Sequence, residues 1–285
     1  MKKAALLIGI MSLAVATLAD NRIKLTYSHA APAPIIKTSC ADSFQKPKGD
    51  ELTEMFSQVY PLTATGRINI VNINGDVHVN VWDQNSVKVD AVKRARSSQR
   101  LSEVTIDVQS APDILQIKTK YPEERFNGRN NGDSWASVEY TLTVPRRAKL
   151  DGAELVNGSL DVEGVQGDVR ASLVNGTVKA SGLGGEVKLS TVNGGIEANV
   201  AALETAKGVQ LNSVNGPIVL IVPSGASADV KASTVHGGIT NDFGLKVEDG
   251  EYVGHSMSGQ IGSGGARIRL NNVNGSIAVK RGLSM

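Results

Sequence analysis

A single cysteine, Cys40, in 285 residues excludes an internal disulfide framework. Aromatic residues are scarce, with two Trp, five Tyr and four Phe, and none stands among the 102 residues between Tyr140 and Phe243. Any core in that stretch is narrow and filled by small aliphatics. An excess of one charge is missing too. Thirty Lys and Arg face 28 Asp and Glu, which gives no electrostatic case for a nucleic-acid partner. The densest basic run, Lys93-Arg94-Ala95-Arg96, reads as a solvated strand end. Long apolar runs are absent except for residues 4–19, shorter than the ~20 residues of a bilayer span. That run follows Met1-Lys2-Lys3 and ends on Thr17-Leu18-Ala19, with Ala14-Val15-Ala16 as a second cleavage option, so residues 1–19 read as a secretory signal peptide. Its removal takes Lys2 and Lys3 from a formal charge of +2 and leaves a neutral mature chain. The expected location is outside the cytoplasm: periplasm, outer-membrane surface or medium. No transmembrane span is expected in the mature chain. Cys40 lies too far beyond the apolar run, and too close to Lys37, for a lipid-anchor site.

What is present is organised in blocks. Residues 20–61 are linker-like, with Pro32, Pro34 and Pro47, and Asp50 is a candidate N-cap for a short helix over residues 50–60. Residues 62–149 alternate polar and apolar, as in Arg67-Ile68-Asn69-Ile70 and Val87-Lys88-Val89-Asp90, the signature of half-buried strands. Residues 123–134, rich in Asn and Gly, read as a loop.

Residues 150–282 carry an internal repeat. Gly158, Gly167, Gly176, Gly185 and Gly194 recur every nine residues, with aliphatic residues two before, two after and four after each. These positions read as an inner face, and the polar positions one and three after each glycine as an outer one. Every second turn is Asn-Gly, at Asn157-Gly158, Asn175-Gly176 and Asn193-Gly194, so the full repeat is eighteen residues with two strands. The series continues at Asn215-Gly216, His236-Gly237 and Asn274-Gly275 with insertions, the largest at 241–265, and an upstream copy stands at Asn74-Gly75.

Asn-Gly is also a strong hairpin signal, so an antiparallel meander or sandwich is the competing architecture. A meander has no need for identical turns every eighteen residues. A parallel coil places the same turn at the same corner, where Asn side chains can bond as a ladder. The expected fold is therefore all-β, a β-solenoid of about 18–22-residue coils with Asn-Gly corners, joined by the strands of residues 62–149.

These Val-Asn-Gly turns, with Asn74-Gly75-Asp76-Val77 upstream and Val273-Asn274-Gly275-Ser276-Ile277 closing, resemble an adhesin-like β-strand-repeat family of exported bacterial envelope proteins. That family is a domain of unknown function likened to an autotransporter-adhesin head. The resemblance spans residues 62–281. It implies a β-solenoid outside the cytoplasm and no catalytic residues.

Chemistry-bearing patterns are few. Of the four histidines, His236 replaces a turn Asn and His78 sits at an outward strand position. No His-x-x-x-His, paired cysteines or Asp-x-Asp run predicts a metal site. Residues 258–265 lack the Lys-Ser/Thr of a phosphate loop, and no cofactor is expected. Asp168 and Glu186 should stack one coil apart, but Arg170 and Lys188 beside them predict an ion-pair lattice rather than an acid–base pair. Two classes of function follow: a non-catalytic envelope protein that binds a surface protein or polysaccharide, or a polysaccharide-acting β-helix enzyme. An envelope-stress-linked regulatory role is a third reading. The first is favoured because the repeat faces hold no aromatic platform for sugar rings. The insertion at 241–265 brings back Phe243 and Tyr252, with His255 beside them, and is the candidate binding element.

Overall fold

The computed structural model describes residues 51–122, 135–203, 207–250 and 253–282. The signal-peptide, linker and Cys40 readings up to residue 50, the loop expected at 123–134, and Tyr252 lie outside these residues. Among the described residues no helix is long and apolar enough to cross a membrane.

The alternating pattern folds as strands almost throughout. In chain order they are β1 (Leu52–Pro61), β2 (Arg67–Asn74), β3 (Val77–Trp82), β4 (Ser86–Ala95), the short helix α1 (Ser98–Glu103), β5 (Thr105–Ala111), β6 (Ile114–Lys120) and β7 (Ala136–Pro145). The repeats follow as β8 (Lys149–Asn157), β9 (Leu160–Glu163), β10 (Val169–Asn175), β11 (Val178–Leu183), β12 (Val187–Asn193), β13 (Ile196–Val200), β14 (Val209–Asn215) and β15 (Ile218–Val222). The last are β16 (Ala228–His236), β17 (Ile239–Asn241), β18 (Val247–Asp249), β19 (His255–Ile261), β20 (Ala266–Asn274) and β21 (Ile277–Arg281).

Two sheets result. The first has ten strands in the order β1-β4-β7-β3-β9-β11-β13-β15-β21-β17. The second has eleven, β18-β19-β16-β20-β14-β12-β10-β8-β2-β6-β5. From β8 onward successive repeat strands alternate between the sheets, and each pairs in parallel with its counterpart in a neighbouring repeat: Val169 with Val187, Val178 with Ile196. The inner side chains of both sheets form one core of Val, Leu, Ile and Ala, with Leu160, Val178, Leu211 and Ile218 fully buried. Outward neighbours such as Lys179 and Glu197 are exposed. Among the described residues Tyr140 is the one aromatic ring fully buried in this core. Its hydroxyl shares a 2.7 Å hydrogen bond with the Thr119 hydroxyl of the opposite sheet, and burial pushes the phenol well above its ordinary value despite that bond.

The turn glycines permit the close stacking. A Cβ on Gly194 would overlap the carbonyl oxygen of Gly176, and one on Gly176 would overlap that of Gly158. Each turn carbonyl thus occupies the volume a side chain would need. The fully repeated turns also keep their polar groups paired: Gly176 N donates to Asn193 O at 2.9 Å and Gly194 N to Asn215 O at 2.8 Å.

Two expectations change. Residues 50–60 were expected to hold a short helix, but Leu52–Pro61 is β1, paired antiparallel with β4 along ten register positions. Tertiary pairing overrides the local signal here. The repeats also do not stack in chain order. β20 lies between β14 and β16, and β21 between β15 and β17. The insertion at 241–265 makes this possible. It carries β19 antiparallel along the far side of β16, with β18 beyond it, before the chain returns to thread the last repeat inward.

Candidate functional site

The outer surface is built of rows, because parallel in-register pairing puts equivalent residues of successive repeats side by side. The row at the turns is a side-chain ladder. Asn157 Nδ2 donates to Asn74 Oδ1 at 2.9 Å, Asn175 to Asn157, Asn193 to Asn175 and Asn215 to Asn193 at 2.8 Å each, and Asn274 to Asn215 at 2.9 Å. At one end the Tyr121 hydroxyl donates to the Asn74 carbonyl at 2.8 Å, and burial pushes its phenol up to about 12. At the other end His236 takes the register position beside Asn274.

Behind this ladder runs an inner row that the repeat pattern did not reveal. Thr191, Ser213 and Thr234 are buried and donate to the carbonyls of Gly176, Gly194 and Gly275 at 3.1, 3.1 and 3.0 Å. Asn272 Nδ2 reaches the Gly216 carbonyl at 2.8 Å. These positions hold Leu155 and Leu173 in the earlier repeats, so polar and aliphatic residues share one slot and mask the signal.

The aliphatic residues two before the Asn-Gly glycines do not face inward. Val156, Val174, Val235 and Val273 are 38, 42, 42 and 37% exposed. Strand alternation explains this: Leu155 and Leu173 point into the core, so their successors point out. Val165 and Leu183, which precede the intervening glycines, are buried as expected.

On the outer face of the second sheet, charges interlock. Arg170 bridges Asp151 at 2.7 Å and Glu186 at 2.8 Å, Lys188 meets Glu186 at 2.8 Å, and Lys149 meets Asp168 at 3.1 Å. The Glu186 backbone N–H donates to Asp168 Oδ1 at 3.1 Å. Partial burial pushes the Asp168 carboxyl up, but that N–H, Lys149 and Arg170 outweigh it and hold it below its ordinary value. Lys188 is the main cause holding Glu186 low. Beside the lattice lies a shallow depression of about 280 Å³ floored by Gly152, Ser172 and Ser190. A hydrophilic row continues from there: Ser190 Oγ donates to Ser172 Oγ at 3.2 Å, and Asn271 Nδ2 to Asn212 Oδ1 at 2.9 Å.

Of the residues singled out in the insertion, Phe243 and His255 are among those described, and they stand beside different sheets. Phe243 follows β17 of the first sheet, packs against the core, and lies 5.0 Å beneath the Arg281 guanidinium. Its backbone N–H donates to Asn241 Oδ1 at 3.1 Å, so its position is set by a local turn. His255 begins β19 of the second sheet, where its Nδ1 lies 2.7 Å from Asp249 Oδ1. Among the insertion's described residues, Val247–Asp249 and His255–Ile261 form the edge strands β18 and β19. His78 lies 3.3 Å from Asp161 and 4.0 Å from Glu139. Lys93 is not a solvated strand end: it is buried, 2.8 Å from Glu54, and donates to the Val104 carbonyl at 3.1 Å. Its neighbour Arg94 pairs with Glu139 at 2.8 Å.

Repeats of this length, with Asn-Gly turns in parallel register, are matched by one family model. Residues 156–280 match the model of the Toastrack DUF4097 family. Its bounds take in the turns from Asn157 to Asn274. The Asn74-Gly75 turn falls outside them, although β2 and β3 pair with β8 and β9 and extend the same sheets. Among solved structures, a candidate cell adhesion protein from Clostridium sporogenes is 14% identical, with 81% of this chain and 100% of that one covered and a TM-score of 0.49. A candidate adhesin from Bacteroides fragilis is 12% identical, with 80% and 97% covered and a TM-score of 0.31. A candidate lipid binding protein from Parabacteroides distasonis is 9% identical, with 80% and 97% covered and a TM-score of 0.24. The comparison with curated proteins gives no match.

Proposed function

We propose that this chain is an exported, non-catalytic β-solenoid of the cell envelope that acts as an adhesin-like binding scaffold. Its corners are the turns Asn74-Gly75, Asn157-Gly158, Asn175-Gly176, Asn193-Gly194, Asn215-Gly216, His236-Gly237 and Asn274-Gly275. The basic, then apolar, start of the sequence supports export. The observation that carries the binding reading is the charge lattice. The carboxylates that stack as an acid–base pair would, Asp168 and Glu186, are held as anions by Lys149, Arg170 and Lys188. A general acid needs its carboxyl pushed up, and both of these are pushed down. What the two-sheet frame offers instead is hydrophilic rows at a fixed ~4.8 Å spacing, a surface suited to a partner that is itself periodic.

The test is to immobilise the mature chain and pass envelope polysaccharide and protein fractions over it. The expected result is saturable retention, with the eluted material unchanged in size. Shortened polysaccharide in the eluate would instead identify an enzyme.

A further inference from the structure

Across the second sheet, carboxylates run out before the cations do. One outward row reads Arg170, Lys188, Gln210, Arg269, Lys231 from β10 to β16. The neighbouring row reads Asp168, Glu186, Gly208, Arg267, Asp229. Arg170 and Lys188 are matched by Asp151 and Glu186. Arg267, Arg269 and Lys231 are exposed, and their side chains make no ion pair or hydrogen bond among the described residues. Arg269 and Lys231 are direct register partners. Like charges placed opposite each other across strands destabilise a sheet. The acid in register with Arg267, Asp229, has a carboxylate that accepts the Gly265 N–H at 3.3 Å. Between these cations and the charge lattice lies a groove of about 590 Å³, lined among others by Glu186, Lys188, Lys207, Gly208, Arg267 and Arg269. Gly208 opens it: every other position in its row carries a charged side chain, and a Cβ there would press on the Arg267 carbonyl.

We propose that this groove binds an anionic polysaccharide, with Arg267 and Arg269 gripping its carboxylate or sulfate groups and Lys231 adding charge. The proposal deepens the binding reading above and rests on it. Arg presents a planar fork that matches oxyanions in pairs. Alternate residues on one strand stand ~6.8 Å apart, so the two arginines address successive groups along an extended chain rather than one small ion. The surroundings favour a sugar polymer over a membrane. Gln210, Asn212, Asn271, Ser233, Ser258 and Gln260 flank the cations on the same face, offering amides and hydroxyls to sugar hydroxyls.

The experiment measures retention of dextran sulfate, polygalacturonate and neutral dextran by the mature chain. Phosphatidylglycerol vesicles and inorganic sulfate serve as the membrane and small-ion arms. The wild type is expected to bind both charged polymers, with affinity falling as salt rises, and to ignore neutral dextran. The double variant Arg267→Gln/Arg269→Gln should bind at least tenfold more weakly, with its β signal and melting midpoint unchanged. The control Lys179→Gln/Lys280→Gln removes equal charge from the first sheet and should change binding less than twofold. Equal losses in both double variants, or wild-type binding only to vesicles or only to free sulfate, would overturn the assignment. A groove variant that still retains envelope fractions as the wild type does would remove the groove and leave the scaffold reading standing. If no envelope fraction is retained by either protein, the scaffold reading itself fails.

Discussion

Asn274 Nδ2 donates to Asn215 Oδ1 at 2.9 Å across 59 residues of chain, while its other register neighbour is His236. The last repeat is therefore held on both sides by earlier ones. In a stack built in chain order the terminal repeat has one neighbour and can fray alone. Here Leu270, fully buried on β20, is the register partner of Leu211 on one side and Ala232 on the other. Leu270→Ala should cost about 2–5 kcal/mol, the usual range for such a cavity. Deleting residues 266–285 should expose β14 and β16 together to proteolysis. Denaturant melts and limited proteolysis check both. Protection of β16 after the deletion would mean that the last repeat is peripheral.

The inside–outside phase gives a second test. Val178 is fully buried and Lys179, next to it, is exposed. Val178→Asp should lower stability by several kcal/mol, because an unpaired charge enters an apolar core. Lys179→Ser should leave the denaturation midpoint where it is. Asn175→Ala removes one rung of the ladder and should fall between them.

Glycine sites divide by what surrounds them. Gly194→Ala drives a methyl group into the Gly176 carbonyl and should cost about 1–3 kcal/mol, as overpacking does. Gly225→Ala meets nothing within 4 Å and should be neutral or slightly stabilising. Equal midpoints for the two variants would contradict the close stacking of the turns.

The lattice predicts an acid limb. The folded-state values of Asp168 and Glu186 lie below their ordinary ones. Their contribution is therefore present above about pH 4, where the unfolded carboxyls are ionised, and is lost as pH falls through the lower folded values. Asp168→Asn should lose less stability than the wild type between pH 7 and pH 3. Urea midpoints at the two pH values measure this. Parallel losses would mean that Asp168 gains nothing from Lys149 and Arg170.

The two-strand repeat was legible because side-chain alternation and the eighteen-residue recurrence of Asn-Gly are local patterns. The position of the last repeat was not. Asn274 fits beside Asn215 or His236 equally well, and only the antiparallel return of β19 along β16 leaves the gap that β20 fills. β1 misled for a different reason. Leu52, Met55, Phe56, Val59 and Tyr60 recur at helical spacing, and as a strand they leave Met55 80% and Val59 58% exposed. The cationic groove was hidden because Lys188 and Lys207 are far in sequence from the Arg267–Arg269 pair and come beside it only through the stacking of the strands.

The interleaved, in-register stack is tested most directly by disulfide trapping at the Asn ladder in a Cys40→Ser background. Neighbouring strands stand ~4.8 Å apart, within reach of a disulfide, and next-but-one strands about 10 Å apart, beyond it. Mild oxidation should cross-link Asn215→Cys/Asn274→Cys and Asn274→Cys/His236→Cys in full, and leave Asn215→Cys/His236→Cys reduced. Efficient cross-linking of the 215–236 pair, with the 215–274 pair left free, would show that the repeats stack in chain order and would contradict the account.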